Sequence, residues 1–300
     1  MKSIASAPGK IILFGEHFVV HGTPAILAAI DRRVTVTSTF TENKTLKINS
    51  QLGTLEVPIS SSHEEAKSEF RPFVYLANEM ISSNQNVNGL EITINSNIPI
   101  GVGLGSSSAC CVAATASISG LFKEVSSEDN LKMSIEAEKT IFPNTSGADC
   151  TVCTYGGIIE YDKINGSKKN TDTSNLNLLI TNSMIPHSTK RSVEKVSKFK
   201  EDNEDRFSQL CVLETKLIDE VNLALKNKDL ATLGLKMSEN QKYLEEIQVS
   251  NDMLRGMIDS LKEISLGAKI TGAGDGGCII ALVEDENLDK VPALLPKDKE

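Results

Sequence analysis

Two glycine-rich turns and a few charged residues carry the types that act on phosphate. Gly101-Val-Gly-Leu-Gly105 runs straight into Ser106-Ser107-Ser108. Glycines let backbone N–H groups approach an anion with no Cβ in the way. A helix opening at the serines adds unpaired donors and its dipole, and a hydroxyl just inside it can ligate Mg²⁺. A second string, Gly272-Ala273-Gly274-Asp275-Gly276-Gly277, precedes a run of strand character. Two such turns in one chain point to two backbones approaching one ligand. Lys10 follows Pro8-Gly9, and Glu16-His17 follow Gly15. Glu138 and Asp149 complete the set: beside a phosphate loop, two carboxylates suit one metal ligand and one group directing a nucleophile. Taken singly, each has an ordinary reading: an edge-strand lysine, a satisfied core histidine, a solvated glutamate, a turn-capping aspartate.

These residues need elements to hold them. Lys2–Ile12 reads as a strand, and Val34–Phe40 and Thr45–Ile48 alternate as antiparallel strands do. Phe70–Met80 suits a helix. Leu90–Asn95 alternates and feeds the first glycine turn, after which small residues to Phe122 predict a buried helix. A further helix starts near Ser126, with Asp129 as an approximate capping box, and presents Glu138 in its last turn. Val152–Ile159 reads as a strand, and the polar stretch Lys163–Asn175 as a loop dividing a lobe of residues 1–165 from one of residues 166–300. The second half gives a strand at Leu176–Thr181 and helices near Thr189–Phe199, Arg206–Asn227, Asp229–Gln248 and Asn251–Ile264. It ends in a strand at Cys278–Val283 and a short helix near Asn287–Leu295. Phe207, Leu210, Leu213, Leu217 and Val221 keep helical spacing and read as a core stripe. From pattern alone the class is α+β.

The chain has 300 residues, with 31 Lys+Arg against 40 Asp+Glu, and this net charge of −9 argues against a general nucleic-acid binder. Ile11–Phe14 is too short for a signal peptide. The uncharged stretch Ile92–Phe122 is too polar and interrupted for a spanning helix. No membrane association and a cytoplasmic location are expected. Cys150 and Cys153 form a CxxC that reads as two small buried side chains. His17 and His21 have zincin spacing, but Phe18 stands where the glutamate is required. GxxxxGK[ST] is absent. The dinucleotide fingerprint fails at Ser106, and no strand ends in an acid about 20 residues on.

Taken together the blocks resemble the galactose, homoserine, mevalonate and phosphomevalonate kinase superfamily, over nearly the whole chain. Pro8-Gly9-Lys10 through Gly15-Glu16-His17-Phe-Val-Val-His21-Gly22-Thr-Pro-Ala-Ile26 is similar to its mevalonate kinases. So are Leu104-Gly105-Ser106-Ser107, Lys269-Ile-Thr-Gly-Ala-Gly274 with Gly276-Gly277-Cys278, and Asn240-Gln241 with Val249-Ser250. The resemblance implies a two-lobed α+β kinase fold with ATP in the cleft between lobes. It implies Mg²⁺- and ATP-dependent phosphorylation of mevalonate on its terminal hydroxyl, in the route to isoprenoids.

Carried over by position, Ser107 and Glu138 match the Mg²⁺ ligands, Asp149 the carboxylate near the acceptor hydroxyl, and Lys10 its partner. Gly103, Leu104, Gly105, Ser106 and Ser107 would hold ATP, closed over by Gly272, Ala273 and Gly274. Glu16 and His17 would face the acceptor. The chain departs from the pattern at Phe142-Pro143, Thr145, His187 and Asp275, which bears on which alcohol is held. Phosphomevalonate kinase, a mevalonate kinase acting on another hydroxyl, a related decarboxylase and a non-catalytic regulatory homologue remain as alternatives. Homodimers occur among such relatives.

Overall fold

Leu90, Ile92 and Ile94 alternate with polar residues because one face of their strand is buried. That strand sits centrally in the first of two units in the computed structural model, which describes residues 1–82, 87–163, 166–170, 176–185 and 189–290, with only the backbone of 168–170. The first unit comprises Met1–Lys10, Ala29–Ile100 and Leu104–Gly157; the second comprises Ile11–Ala28, Gly101–Gly103 and Ile158–Glu300. The sequence division at 165/166 is a single cut. The two units instead take alternating stretches of the chain, and strands β1 (Lys2–Phe14) and β2 (Ala25–Thr41), which pair with each other, each give residues to both.

In the first unit β2 is followed by β3 (Thr45–Ser50), β4 (Gly53–Pro58), α1 (Arg71–Ser82) and β5 (Gly89–Ser96). β2 pairs antiparallel with β5 from Val34↔Ser96 to Thr41↔Gly89. β3 pairs parallel with β5 at Leu46↔Leu90 and Ile48↔Ile92, and antiparallel with β4. Three further helices complete the unit: α2 (Ser106–Ser119), α3 (Ser127–Lys139) and α4 (Ala148–Tyr155). α2 is small-residued and buried nearly all round, so α1, α3 and α4 all pack on it. Here the structure corrects the strand expected at Val152–Ile159. Residues 148–155 are helical, with Cys150, Thr151, Val152 and Cys153 buried, and the next strand, β6 (Ile158–Asp162), starts later. A four-residue apolar run has no period that separates strand from buried helix.

In the second unit Ala25–Ala28 of β2 pairs antiparallel with β6, and β6 with β7 (Gly166–Asn170). Beyond them come β8 (Leu178–Asn182), α5 (Thr189–Asp202), α6 (Glu204–Asn227), α7 (Leu230–Glu246), α8 (Asp252–Ser260), β9 (Ser265–Ile270) and β10 (Cys278–Val283). A three-stranded antiparallel sheet runs β8-β10-β9, with every residue of β10 buried. α7 lies on β9 with backbone almost touching backbone: a Cβ on Gly234 would come within 2.4 Å of the Leu266 carbonyl oxygen. Only glycine permits that approach. A core of Phe18, Phe207, Leu210, Leu244, Ile247, Ile270 and Ile279 lies among these elements.

The expected stripe on α6 is out of phase at one position. Leu213 is 38% exposed, whereas Glu214 is fully buried in line with Phe207, Leu210, Leu217 and Val221. Of the helix expected at Asn287–Leu295, residues 287–290 lie in a 3₁₀ turn, Asp285–Lys290, and residues 291–295 lie outside the described residues. Residues 164–165 and 171–175 of the expected loop, and His187, lie outside the described residues. Among the described residues no helix is long and apolar enough to cross a membrane.

Candidate active site

β5 leads into the first glycine turn, and Gly105 caps α2 in a left-handed conformation, φ 72°. Glycine is required there twice over. The backbone is left-handed, and a Cβ would lie 2.6 Å from Cγ of Lys10. The turn is fastened to β1 by the Lys10 N–H, which donates to the Leu104 carbonyl at 2.9 Å. At the start of α2 no side chain caps the helix and no acid occupies its first turn. The N-termini of α3, α7 and α8 differ: Ser126, Asp229 and Asn251 each accept a backbone N–H there. The opening of α2, like those of α4 and α6, has no side-chain cap, and what sets it apart is the glycine turn before it, which leaves its donors accessible to an anion.

Three further side chains meet this turn within the first unit. Lys10 is buried, and its Nζ stands 3.1 Å from Asp149 Oδ2. Asp149, in the first turn of α4, stays 36% exposed. Glu138, in the last turn of α3, is buried and held by two hydroxyls. Ser108 donates to its Oε1 and Thr145 to its Oε2, the latter at 2.6 Å. Thr145 Oγ1 also accepts the Gly147 N–H at 3.3 Å, tying Glu138 to the start of α4. Sequence reading missed Ser108 and Thr145 as partners of Glu138. Ser108 sits next to the motif serine, Ser107, and Thr145 carries no signal in the sequence beyond its departure from the pattern. The thiols of Cys150 and Cys153 are buried, and burial pushes both well up, so they stay protonated.

The second unit brings Glu16, His17 and Gly272–Gly274 together. His17 Nε2 donates to the Ala273 carbonyl at 2.9 Å, which fixes the tautomer. Burial holds its imidazole below the usual range and so neutral. His17 has φ 63°, a left-handed backbone uncommon outside glycine. Glu16 is buried and accepts from Lys269 Nζ. Gly103 belongs to this unit with Gly101, whereas Leu104, Gly105, Ser106 and Ser107 belong to the first.

Two sequence families, GHMP kinases N terminal domain and GHMP kinases C terminal, match residues 72–157 and 222–293. The chain belongs to the GHMP kinase family. This kinase is 34% identical to the mevalonate kinase of Thermococcus sibiricus, over 98% of the chain and 93% of that protein. It is 33% identical to the mevalonate kinase of Pyrococcus furiosus, over 98% and 93%. Among solved structures it superposes on Methanococcus jannaschii mevalonate kinase with a TM-score of 0.86 at 28% identity, covering 98% and 94% of the two chains. The L. major mevalonate kinase in complex with R-mevalonate gives 0.85 at 28% identity, covering 98% and 91%. The kinase fold and its α+β character follow from these matches.

Proposed function

We propose that this kinase moves the terminal phosphoryl group of ATP onto the terminal hydroxyl of mevalonate, giving 5-phosphomevalonate. What carries the reading is the Lys10–Asp149 pair beside the uncapped start of α2, in a chain whose relatives across 98% of its length are named mevalonate kinases. A triphosphate placed at α2 is held by backbone donors of Gly105–Ser107 and by the helix dipole. Asp149 orients the acceptor hydroxyl and takes its proton. A bond forms between that oxygen and the γ-phosphorus, the bond to the β,γ-bridging oxygen breaks, and ADP leaves with the electron pair. Lys10 neutralises charge on the attacking oxygen and the transferring group. A role for His17 on the acceptor, and for Gly272–Gly274 over the phosphates, follows the motif positions; Glu16, expected to face the acceptor with it, is closed off against Lys269 and supports the segment instead.

The donor set fits Mg²⁺. Hydroxyl and carboxylate oxygens are hard ligands, and Glu138 has its orientation set by Ser108 and Thr145 while each oxygen retains a lone pair. Ser107 and Glu138 would hold the ion, which supplies charge neutralisation between phosphate oxygens when bound. Mass spectrometry of the product formed from ATP, Mg²⁺ and mevalonate tests the proposal, with 5-phosphomevalonate expected. Phosphorylation on another hydroxyl, turnover of phosphomevalonate alone, CO₂ release, or binding without ADP formation would each replace it with one of the alternatives.

A further inference from the structure

Behind the acceptor motif lies a group of charged side chains that the chemistry above does not use. Lys269 on β9 and Glu16 are both 0% exposed, and the ammonium donates to Glu16 Oε1 and, at 2.8 Å, to the Ile270 carbonyl. Glu214 on α6, equally inaccessible, is close enough to feel both charges. Its carboxylate takes the Asn240 amide at 2.8 and 2.7 Å and faces the Gly15 backbone N–H, which favours its charged form. Gln241, next along α7, accepts the Ile270 N–H at 3.0 Å and donates to Ser250 at 3.1 Å. Asn240, Gln241 and Ser250, prominent in the sequence but given no role so far, therefore serve this group.

A dry lysine with two dry carboxylates is a poor way to gain stability. Each ion loses several kcal/mol of hydration, and apolar side chains of the same volume often do better. Buried polar groups that hydrogen-bond one another instead favour one arrangement. The segment beside it needs selecting: His17 holds a left-handed backbone that persists only when its surroundings impose it. Phe18 anchors the far side, stacked on Phe207 at 5.9 Å, two turns before Glu214 on the same face of α6.

We infer that Glu214 and Lys269 are positioning residues for the acceptor segment Gly15–Gly22, acting through the Gly15 amide and the Glu16 carboxylate to fix His17 on Ala273. The consequence for acceptor binding rests on the function proposed above; the positioning itself does not. The charged and titratable groups around Glu214 are Glu16, Lys269 from β9, Tyr243 from α7 and Cys211 on its own helix. Burial, then the Glu16 charge, push the Glu214 carboxyl up to about 7. The unpartnered Asn240 Oδ1 gives a protonated Glu214, or a glutamine there, an acceptor once the amide turns over.

The test compares the whole protein with Glu214→Ala and Glu214→Gln. Amide hydrogen exchange in Gly15–Gly22 is measured against amides of β9 and β10, together with KM for mevalonate and for ATP. In Glu214→Ala, exchange in the segment should quicken about tenfold relative to the sheet, equivalent to about 1.4 kcal/mol. KM for mevalonate should rise about as much while KM for ATP stays put. Glu214→Gln, which keeps an acceptor for the Gly15 N–H, should match in both respects the wild type below about pH 7, where the carboxyl is protonated. Equal quickening everywhere, or none in the segment, overturns the inference. If wild type forms no product from mevalonate, the acceptor assignment fails and exchange alone decides the positioning. If Glu214→Ala does not fold, the pH profile decides. Segment exchange, corrected for intrinsic chemistry, should change as pH passes about 7 in wild type and not in Glu214→Gln; identical profiles overturn it.

Discussion

Lys10 and Lys269 are both buried lysines facing a carboxylate, and their surroundings give the two pairs different work. Lys10 meets Asp149, which keeps about a third of its side chain in solvent at the start of a helix. A carboxylate so placed can reach an incoming hydroxyl. Lys269 meets Glu16 with neither side chain accessible, and a second carboxylate, Glu214, stands behind them. No substrate can enter that group, so its effect passes through the backbone it holds. An ion pair open on one side is suited to chemistry, and one closed on all sides to geometry. The same residue types serve both.

The largest effect that separates the pairs is on turnover. Asp149→Asn and Lys10→Met should each lower kcat by about 10²–10⁴-fold with the fold intact by circular dichroism. Near wild-type kcat in both would mean that the open pair is also structural, and the comparison would collapse.

The closed pair should answer first in stability. Lys269→Met leaves Glu16 and Glu214 buried without a cation, at a cost of about 3–5 kcal/mol in urea unfolding. Adding Glu16→Gln should recover part of the loss, because the neutral amide removes one uncompensated charge. The pH dependence carries a sign. Glu214 titrates higher folded than unfolded, so its contribution is complete below the ordinary carboxylate value and is lost as pH rises through about 7. Glu214→Gln should therefore gain stability relative to wild type across that window, and urea midpoints on either side of it measure the gain.

The open pair was legible in the sequence and the closed one largely was not, for physical reasons. Gly101–Gly105 and the serines after it announce themselves, because a helix opening on a glycine turn needs residues that serve little else. Lys10, Glu138 and Asp149 then gain meaning from motif spacing; Lys10 packs on that turn, Asp149 pairs with Lys10, and Glu138 takes the hydroxyl of Ser108 in the helix that follows. Glu214 gave no such signal. It occupies the inward position of an apolar stripe, where pattern reading prefers Leu213 next door, and only burial shows that the charged residue faces in. The helix at Ala148–Tyr155 escapes pattern reading because a run of four buried residues fits a strand and a buried helix equally well. β4 escaped for the opposite reason, being an edge strand with hardly a buried side chain to mark it.

Thr145 offers a smaller test on the open side. Its hydroxyl is one of two holding Glu138, and it stands where the resemblance leads one to expect proline. Thr145→Val keeps the shape and removes the donor, which should cost about 1.5–3 kcal/mol for a hydrogen bond to a charged group. The Mg²⁺ concentration for half-maximal rate should rise as well. Thr145→Ser should restore both. Loss of stability with no change in Mg²⁺ demand would class Thr145 with the structural groups.

The smallest effect belongs to a pair between the two extremes. Asp275, in the second glycine turn, holds a left-handed backbone, φ 59°, and pairs with Lys195 of α5 at 2.6 Å. Its side chain is 15% exposed and that of Lys195 37%. Lys195→Met should cost less than about 1 kcal/mol, since water screens the lysine and can solvate what it leaves behind. Asp275→Gly loses the same pair but relaxes the backbone by about 1–2 kcal/mol, offset by about 0.5–1 kcal/mol of glycine's extra freedom in the unfolded chain. Its unfolding midpoint should lie at or above that of Lys195→Met, and the double variant should match Asp275→Gly alone. A loss of several kcal/mol in Lys195→Met would mean that partial exposure does not soften an ion pair in this fold, and accessibility would no longer account for the difference between Lys10 and Lys269.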